Sequence, residues 1–312
     1  MTITVVGSVA FDAVKTPFGV REHMLGGAAT YFALAASFFD HVHVVGRVGA
    51  DFGEEELAVL ATRGTDVDGV ERVADGKSFF WAGEYGWDLG SRETLDTQLG
   101  VFADFQPHLS APSRGCDVLF LANIQPELQL SVLEQCAETK FVAMDSMNFW
   151  IDSARDALLD VISRVDGVIL NDAELRQLTG RPSLIGAARE VLAMGPSLVV
   201  AKQGEYGAAL LTEDQFFALP AYPLETVVDP TGAGDTFAGA FAGSIARHID
   251  RPLTEPVLRQ AMAYGTALAS FCVEEFGTER VERLTGGEID ARVEELRRIT
   301  QFEHAPVLLE AP

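Results

Sequence analysis

The sequence predicts an α/β fold built on a mainly parallel sheet, and three observations carry that prediction. Short apolar runs alternate with helix-like segments from the first residues onward, as strands joined by crossover helices do. Polar residues follow those runs: Asp12 shortly after the first, Asn123, Asp145 and Asn171 after later ones, and Lys202 closing another. In open α/β sheets, ligands bind at these carboxyl ends. Finally, 312 residues at 48% hydrophobic content suffice for a large core, and no internal repeat or low-complexity linker divides them.

Taken in order, strands are predicted at 3–7, 42–46, 117–122, 140–144, 167–170, 197–201 and 207–212. Helices are predicted at 27–39, 54–63, 127–137, 153–163, 172–179, 185–194, 235–248, 256–275 and 287–300. Met1-Thr2-Ile3-Thr4-Val5-Val6-Gly7 reads directly as a strand with no basic segment before it, and no apolar run is long enough for a bilayer, so a cytoplasmic location is expected. Gly26-Gly27-Ala28-Ala29-Thr30-Tyr31 opens the first helix with small residues that let a substrate or another backbone come close. His41 and His43 form an H-x-H pair on one face at the start of a strand; with no further ligand cluster evident, they are read as strand residues. Cys116, Cys136 and Cys272 are odd in number, widely spaced and set in apolar surroundings, so they are read as core rather than as disulfides or a zinc site.

Residues 9–25 and 76–100 break the strand-helix rhythm. In the second segment Phe79, Trp81, Tyr85 and Trp87 share a parity, so a continuous strand would set four aromatics on one face with Gly83 between them. Such a face packs on the core or on a second subunit, or it forms a lid. The expected organisation is one domain over 1–302 with these two segments inserted as the lid, followed by a loose tail at 303–312 containing Pro306 and Pro312.

Three later stretches carry the chemistry. Asn171-Asp172-Ala173-Glu174 is a capping box, with an N-cap Asn and a Glu three residues on. Lys202-Gln203-Gly204-Glu205-Tyr206-Gly207 joins two apolar runs, and its glycines alone are consistent with a β-turn. Val228 to Phe241 is the most informative: a small-residue turn runs into a helix whose Phe237, Phe241 and Ile245 form one buried stripe, while Gly239 and Gly243 permit close packing on another face. N–H groups of Gly232, Ala233 and Gly234 can converge on an anion at the positive end of that helix. Asp235 stands at the same mouth. A carboxylate there can take the proton from an attacking hydroxyl while the N–H groups absorb charge on a transferring phosphoryl group.

A formal net charge of −23 disfavours binding to nucleic-acid phosphates or to anionic lipid. No G-x-x-x-x-G-K-[ST] occurs, which argues against a P-loop fold, and no G-x-G-x-x-G follows the first strand.

The pattern D-x-x-[GA]-[AG]-G-D at Asp229, Gly232, Ala233, Gly234 and Asp235 resembles the signature of the ribokinase/PfkB-type carbohydrate kinases, which include sugar and nucleoside kinases. The resemblance runs from Asp12 to Gly277 and implies a ribokinase-like three-layer α/β/α domain, with a mainly parallel central sheet and a small β-sheet lid that often doubles as a dimer interface. It implies transfer of the γ-phosphoryl group of ATP, with Mg²⁺, to a primary hydroxyl of a sugar or nucleoside. Asp235 would be the base; Gly232, Ala233 and Gly234, with the Asp235 N–H, would form the anion hole; Asp12, Gly26 and Gly27 would hold the acceptor. Asn171 and Glu174 match the family's N-x-x-E motif, in which the Glu organises Mg²⁺ and phosphate through water. Lys202, Gly204 and Gly207 match the nucleotide-side turn, and Tyr264 to Gly277 the wall of the adenine site. Asp145 and Asn148 fit a D-x-x-N-like segment loosely. Asp229 matches a position that in some members helps to hold a monovalent cation, so K⁺ activation is an open option. One departure stands out: where the family's first signature has Asn, four residues after the paired glycine, this chain has Tyr31, whose hydroxyl or ring could serve a sugar or a base. Tyr31 and the aromatic lid tilt the reading toward a ribose-bearing nucleoside; a free sugar such as ribose, and a non-catalytic sensor on the same fold, are the alternatives.

Overall fold

The computed structural model describes residues 1–302; the expected tail at 303–312 lies outside the described residues. In chain order the elements are β1 (Thr2–Val6), β2 (Ala10–Thr16), β3 (Gly19–Gly26), α1 (Ala28–Ala36), β4 (His41–Val48), α2 (Glu54–Leu60), β5 (Asp66–Arg72), β6 (Phe79–Tyr85) and β7 (Arg92–Gln98). They continue with α3 (Ala111–Arg114), β8 (Val118–Leu121), α4 (Pro126–Gln135), β9 (Phe141–Met144), α5 (Asn148–Ser153), α6 (Arg155–Ile162), β10 (Gly167–Asn171), α7 (Asp172–Thr179), α8 (Leu184–Leu192) and β11 (Leu198–Lys202). Last come β12 (Ala208–Leu211), β13 (Phe216–Leu219), α9 (Ala233–Ala246), α10 (Glu255–Cys272), α11 (Glu279–Glu282) and α12 (Gly286–Thr300).

Nine strands form the central sheet in the order β13-β12-β11-β10-β9-β8-β1-β4-β5. It is parallel from β11 through to β5, and β12 and β13 add an antiparallel edge. Alternate residues of each inner strand feed two separate cores. Ile3, Val5, Val44, Phe120, Ile169 and Val200 pack with α1, α9 and α10 on one face. Val6, Val45, Leu121, Met144, Leu170 and Val199 pack with α4, α6, α7 and α8 on the other. This two-sided burial is why the strands read as unbroken apolar runs.

The two segments that broke the rhythm pair with each other. β2 and β3 form a hairpin, β6 joins β2 in parallel, and β7 returns along β6, giving a second sheet in the order β3-β2-β6-β7. The expected four-aromatic face is corrected in one respect: β6 ends at Tyr85, and Trp87 lies in the turn beyond it, 91% exposed. A bulge between Ala82 and Gly83 folds the Trp81 ring over Gly83.

The remaining differences are local. The strands not anticipated outside the smaller sheet, β5 and β13, both lie at edges of the large sheet; β5 mixes charged with apolar residues, and β13 is a short apolar run in which Leu219 alone is buried. The helix expected at 153–163 divides at Ala154, whose φ of −137° breaks the helical path. Among the described residues no helix is long and apolar enough to cross a membrane.

Candidate active site

α9 begins where it does because Gly232 adopts φ 75°, ψ −4° as its N-cap. A Cβ at that position would stand 2.4 Å from the ring of Tyr31, so the turn requires glycine for space as well as for its dihedral angle. Downstream, Phe237, Phe241 and Ile245 are buried in the core, and the Phe237 and Phe241 rings stack. A Cβ on Gly239 would meet the Phe32 carbonyl at 2.2 Å, so α9 lies almost backbone to backbone on α1. The helix start is thereby locked in position.

The N–H of Ala233 donates to the Pro230 carbonyl at 3.3 Å, and that of Thr236 to the Gly232 carbonyl at 2.8 Å. This revises the expected anion hole. Ala233 shapes the turn with an N–H already engaged, while the N–H groups of Gly234 and Asp235, in the first turn of the helix, are left for an anion. Lys202, at the end of β11, sets its Nζ 3.0 Å from where a Cβ on Gly234 would stand. A cation therefore covers the mouth of the hole.

The Asp235 carboxyl is pushed up to about 7 by burial and by Asp145, against the opposing pull of Lys202 and Arg92. Two groups of acids meet at this residue. On one side is Asp12, buried on β2 and also pushed up to about 7, by burial and then by Asp229 and Asp235, against a smaller opposing pull from the Gly27 backbone. Gly26 makes the room for Asp12, since a Cβ there would fall 2.0 Å from Asp12 Oδ2, while Gly27, at φ 96°, lets the turn pass the Ser8 carbonyl, which a Cβ would meet at 2.5 Å. On the other side are Asp145, Glu174 and Lys202. Lys202 Nζ donates to Asp145 Oδ2 at 3.0 Å. Burial works against the Lys202 charge, but Asp145, Glu174 and Asp235 together hold its pKa above the ordinary value.

The capping box forms as read: Asn171 Oδ1 accepts the Glu174 N–H at 2.8 Å and Glu174 Oε2 accepts the Asn171 N–H at 2.8 Å. It turns Glu174 back over the strand ends, where burial and then Asp145 push its carboxyl up to about 7. Gly204 and Gly207 take φ 56° and 99°, and the Gln203 N–H donates to the Gly207 carbonyl at 2.8 Å, which accounts for both glycines as turn formers between β11 and β12. Asp229 is a clip: Oδ1 accepts the Thr231 N–H at 2.9 Å and Oδ2 the Gly277 N–H at 3.1 Å, joining the start of the turn to the chain beyond α10. Phe276 packs with Val14 and Tyr85 of the smaller sheet.

Tyr31 is placed differently from the acceptor role expected of it. It is 2% exposed, its ring lies against Gly232, and its buried hydroxyl has no hydrogen-bond partner. It supports the turn from behind.

Three contributors were not singled out in the sequence. Gln129, fully buried on α4, donates through Nε2 to the carbonyls of Leu121, Ala122 and Asp145 and so fixes the ends of β8 and β9. Thr231 Oγ1 donates to the Tyr85 hydroxyl at 3.2 Å, tying the smaller sheet to the turn. Arg92, the first residue of β7, directs its charge at Asp12, Glu174 and Asp235. A charge that acts on residues tens of positions away leaves no periodic trace; only the choice of a charged residue at a strand end hints at it.

Asp145, Glu174 and Asp235 offer an all-oxygen donor set with a surplus of negative charge around a single ammonium. Such a set suits Mg²⁺, which takes oxygen ligands and pairs with phosphates.

The family model described as pfkB family carbohydrate kinase matches residues 1–283. A cytidine kinase of Thermococcus kodakarensis is 34% identical over 249 residues, which span 77% of this chain and 87% of that protein. Among solved structures, the nucleoside kinase of Burkholderia thailandensis in complex with inosine superposes with a TM-score of 0.78 at 19% identity, covering 94% of this chain and 98% of that one. The nucleoside kinase of Methanocaldococcus jannaschii gives a TM-score of 0.76 at 20% identity over 94% and 98% of the two chains.

Proposed function

The chain belongs to the pfkB family of carbohydrate kinases, and from that premise we propose that it transfers the γ-phosphoryl group of ATP to the primary ribose hydroxyl of a nucleoside. The observation that carries the choice of acceptor is the 34% identity to a cytidine kinase along most of both chains. The lid aromatics agree with it, since Phe79 and Trp81 remain partly exposed on β6.

Asp12, in the gap left by Gly26, accepts hydrogen bonds from the ribose hydroxyls. An ionised acceptor in a closed site rejects ligands that leave it unpaired. Asp235 takes the proton of the attacking hydroxyl, its raised pKa matching the task near neutral pH. The N–H groups of Gly234 and Asp235, with Lys202 above them, absorb the negative charge that builds on the transferred group. Asn171, Lys202, Gly204 and Gly207 border the nucleotide side. Mg²⁺ supplies neutralisation of the phosphate charge when bound, and Asp145 and Glu174 are the residues that would hold it, Glu174 through water.

Residues 1–302 act as one kinase domain in this reading, with the β3-β2-β6-β7 sheet as its lid. Exposed Val20 and Leu95 on that sheet, with Phe18 in the turn between β2 and β3, support its use as a homodimer surface, testable by light scattering. Asp229, buried with one N–H on each oxygen, retains acceptor capacity for a monovalent cation, and replacing K⁺ with a bulky organic cation tests activation.

The function itself is tested by ADP release with MgATP and a panel of nucleosides and free sugars, Asp235→Asn run in parallel. The expected result is turnover with a nucleoside, reduced by roughly 10²- to 10⁴-fold in the variant. Turnover confined to free sugars would refute the acceptor class, and an unimpaired variant would refute the base.

A further inference from the structure

The H-x-H pair of β4 acquires a third potential ligand in the fold. β5 runs parallel to β4 with Asp66 directly opposite His43, and His43 Nδ1 lies 3.0 Å from Asp66 Oδ2. The rings of His41 and His43 meet edge to face with centroids 4.7 Å apart. One ligand atom from each of the three residues lies within 4.8 Å of the other two. The cluster sits where β4 and β5 begin, whereas Asp145, Asn171 and Lys202 stand at or just beyond the far ends of their strands. Phosphoryl transfer therefore makes no use of it.

We propose that His41, His43 and Asp66 bind one divalent transition-metal ion of the zinc class, stapling the edge strand β5 to β4. Two imidazoles and one carboxylate suit such an ion, and three protein ligands leave a coordination position open to water. Bonds of about 2.0–2.2 Å bring tetrahedral ligand atoms to roughly 3.3 Å apart. The His43–Asp66 pair already meets that spacing. The side chain that must close the remaining gap is His41, which is exposed and free to change rotamer. A hydrogen bond between His43 and Asp66 alone would account for two of the three residues.

The test is calorimetric titration of Zn²⁺ into tag-free, chelator-treated full-length protein. Excess Mg²⁺ is present so that it occupies the oxygen ligands of the phosphoryl-transfer site by mass action. His43 is buried and its replacement could disturb folding, so the variants are His41→Ala and Asp66→Asn. The expected result is one Zn²⁺ per chain, with affinity lower by at least about tenfold in each variant and a Co²⁺-derived visible spectrum that His41→Ala abolishes. Kinase turnover should be unchanged in His41→Ala. Absence of Zn²⁺ binding, or binding equally tight in both variants and the parent, would overturn the proposal.

Discussion

Lys202 Nζ donates to Asp145 Oδ2 at 3.0 Å, an ion pair between the ends of β11 and β9 that is mostly shielded from water and lies beside the start of α9. Removing one member strands the other. Lys202→Met is expected to cost up to about 3 kcal/mol in urea unfolding, because Asp145 is left buried without its counter-charge. Adding Asp145→Asn should recover most of that stability and none of the activity, since the ammonium over Gly234 is still missing. Equal stability of the single and double variants would show that the pair does not act as a unit.

Asp235 opposes the stability of the fold it serves. Its carboxyl titrates at about 7 in the folded chain against an ordinary aspartate value of 3.8, so the folded protein holds that proton more tightly than the unfolded chain does. The contribution is fully present below the unfolded value and is lost as pH rises through about 7. Asp235→Asn mimics the neutral form. The excess of its melting temperature over the parent should be small near about pH 4 and grow to several degrees near about pH 8, measured without nucleotide. A pH-independent difference would mean that Asp235 is not titrating between those values.

The same titration governs rate with the opposite sign. A base must be ionised to accept a proton, and Asp12 must be ionised to accept hydrogen bonds at full strength; both are pushed up to about 7. kcat/KM for the acceptor is therefore expected to fall as pH drops below about 7. Because the acids interact, the apparent values belong to the group rather than to either residue. The limb should move to lower pH in kcat, where bound cation stabilises the carboxylates, and flatten in the residual activity of Asp235→Asn.

What could be read from the chain beforehand follows from which interactions leave a local trace. The phosphate-binding turn was legible because glycine at 232 answers a local backbone requirement, φ 75°, and the capping box because Asn171 and Glu174 satisfy each other three residues apart. Burial on both faces wrote the inner strands as apolar runs, while the edge strand β5 mixes charged residues with apolar ones and the edge strand β13, though apolar, is only 4 residues long. Tyr31 was misplaced because a tyrosine after paired glycines looks the same whether its ring faces a ligand or the underside of Gly232. Arg92 and Gln129 went unread because their partners come from other elements entirely.

Gly26 offers a clean separation of acceptor binding from phosphoryl transfer. A Cβ there would stand 2.0 Å from Asp12 Oδ2 and 2.3 Å from its Cγ, a distance no real contact tolerates, so Gly26→Ala must displace the carboxylate. Hydrogen bonds to a charged group contribute about 1.5–3 kcal/mol each, and losing one should raise KM for the acceptor by roughly 10- to 100-fold while KM for ATP holds. Gly286→Ala is the matched control: nothing stands within 4 Å of a Cβ there, and the position lies in the first turn of α12, where alanine favours the helix. If Gly26→Ala weakened ATP and acceptor alike, the displaced Asp12 would be disturbing the turn at Gly232 rather than the acceptor site alone, and its assignment to substrate hydroxyls would fall.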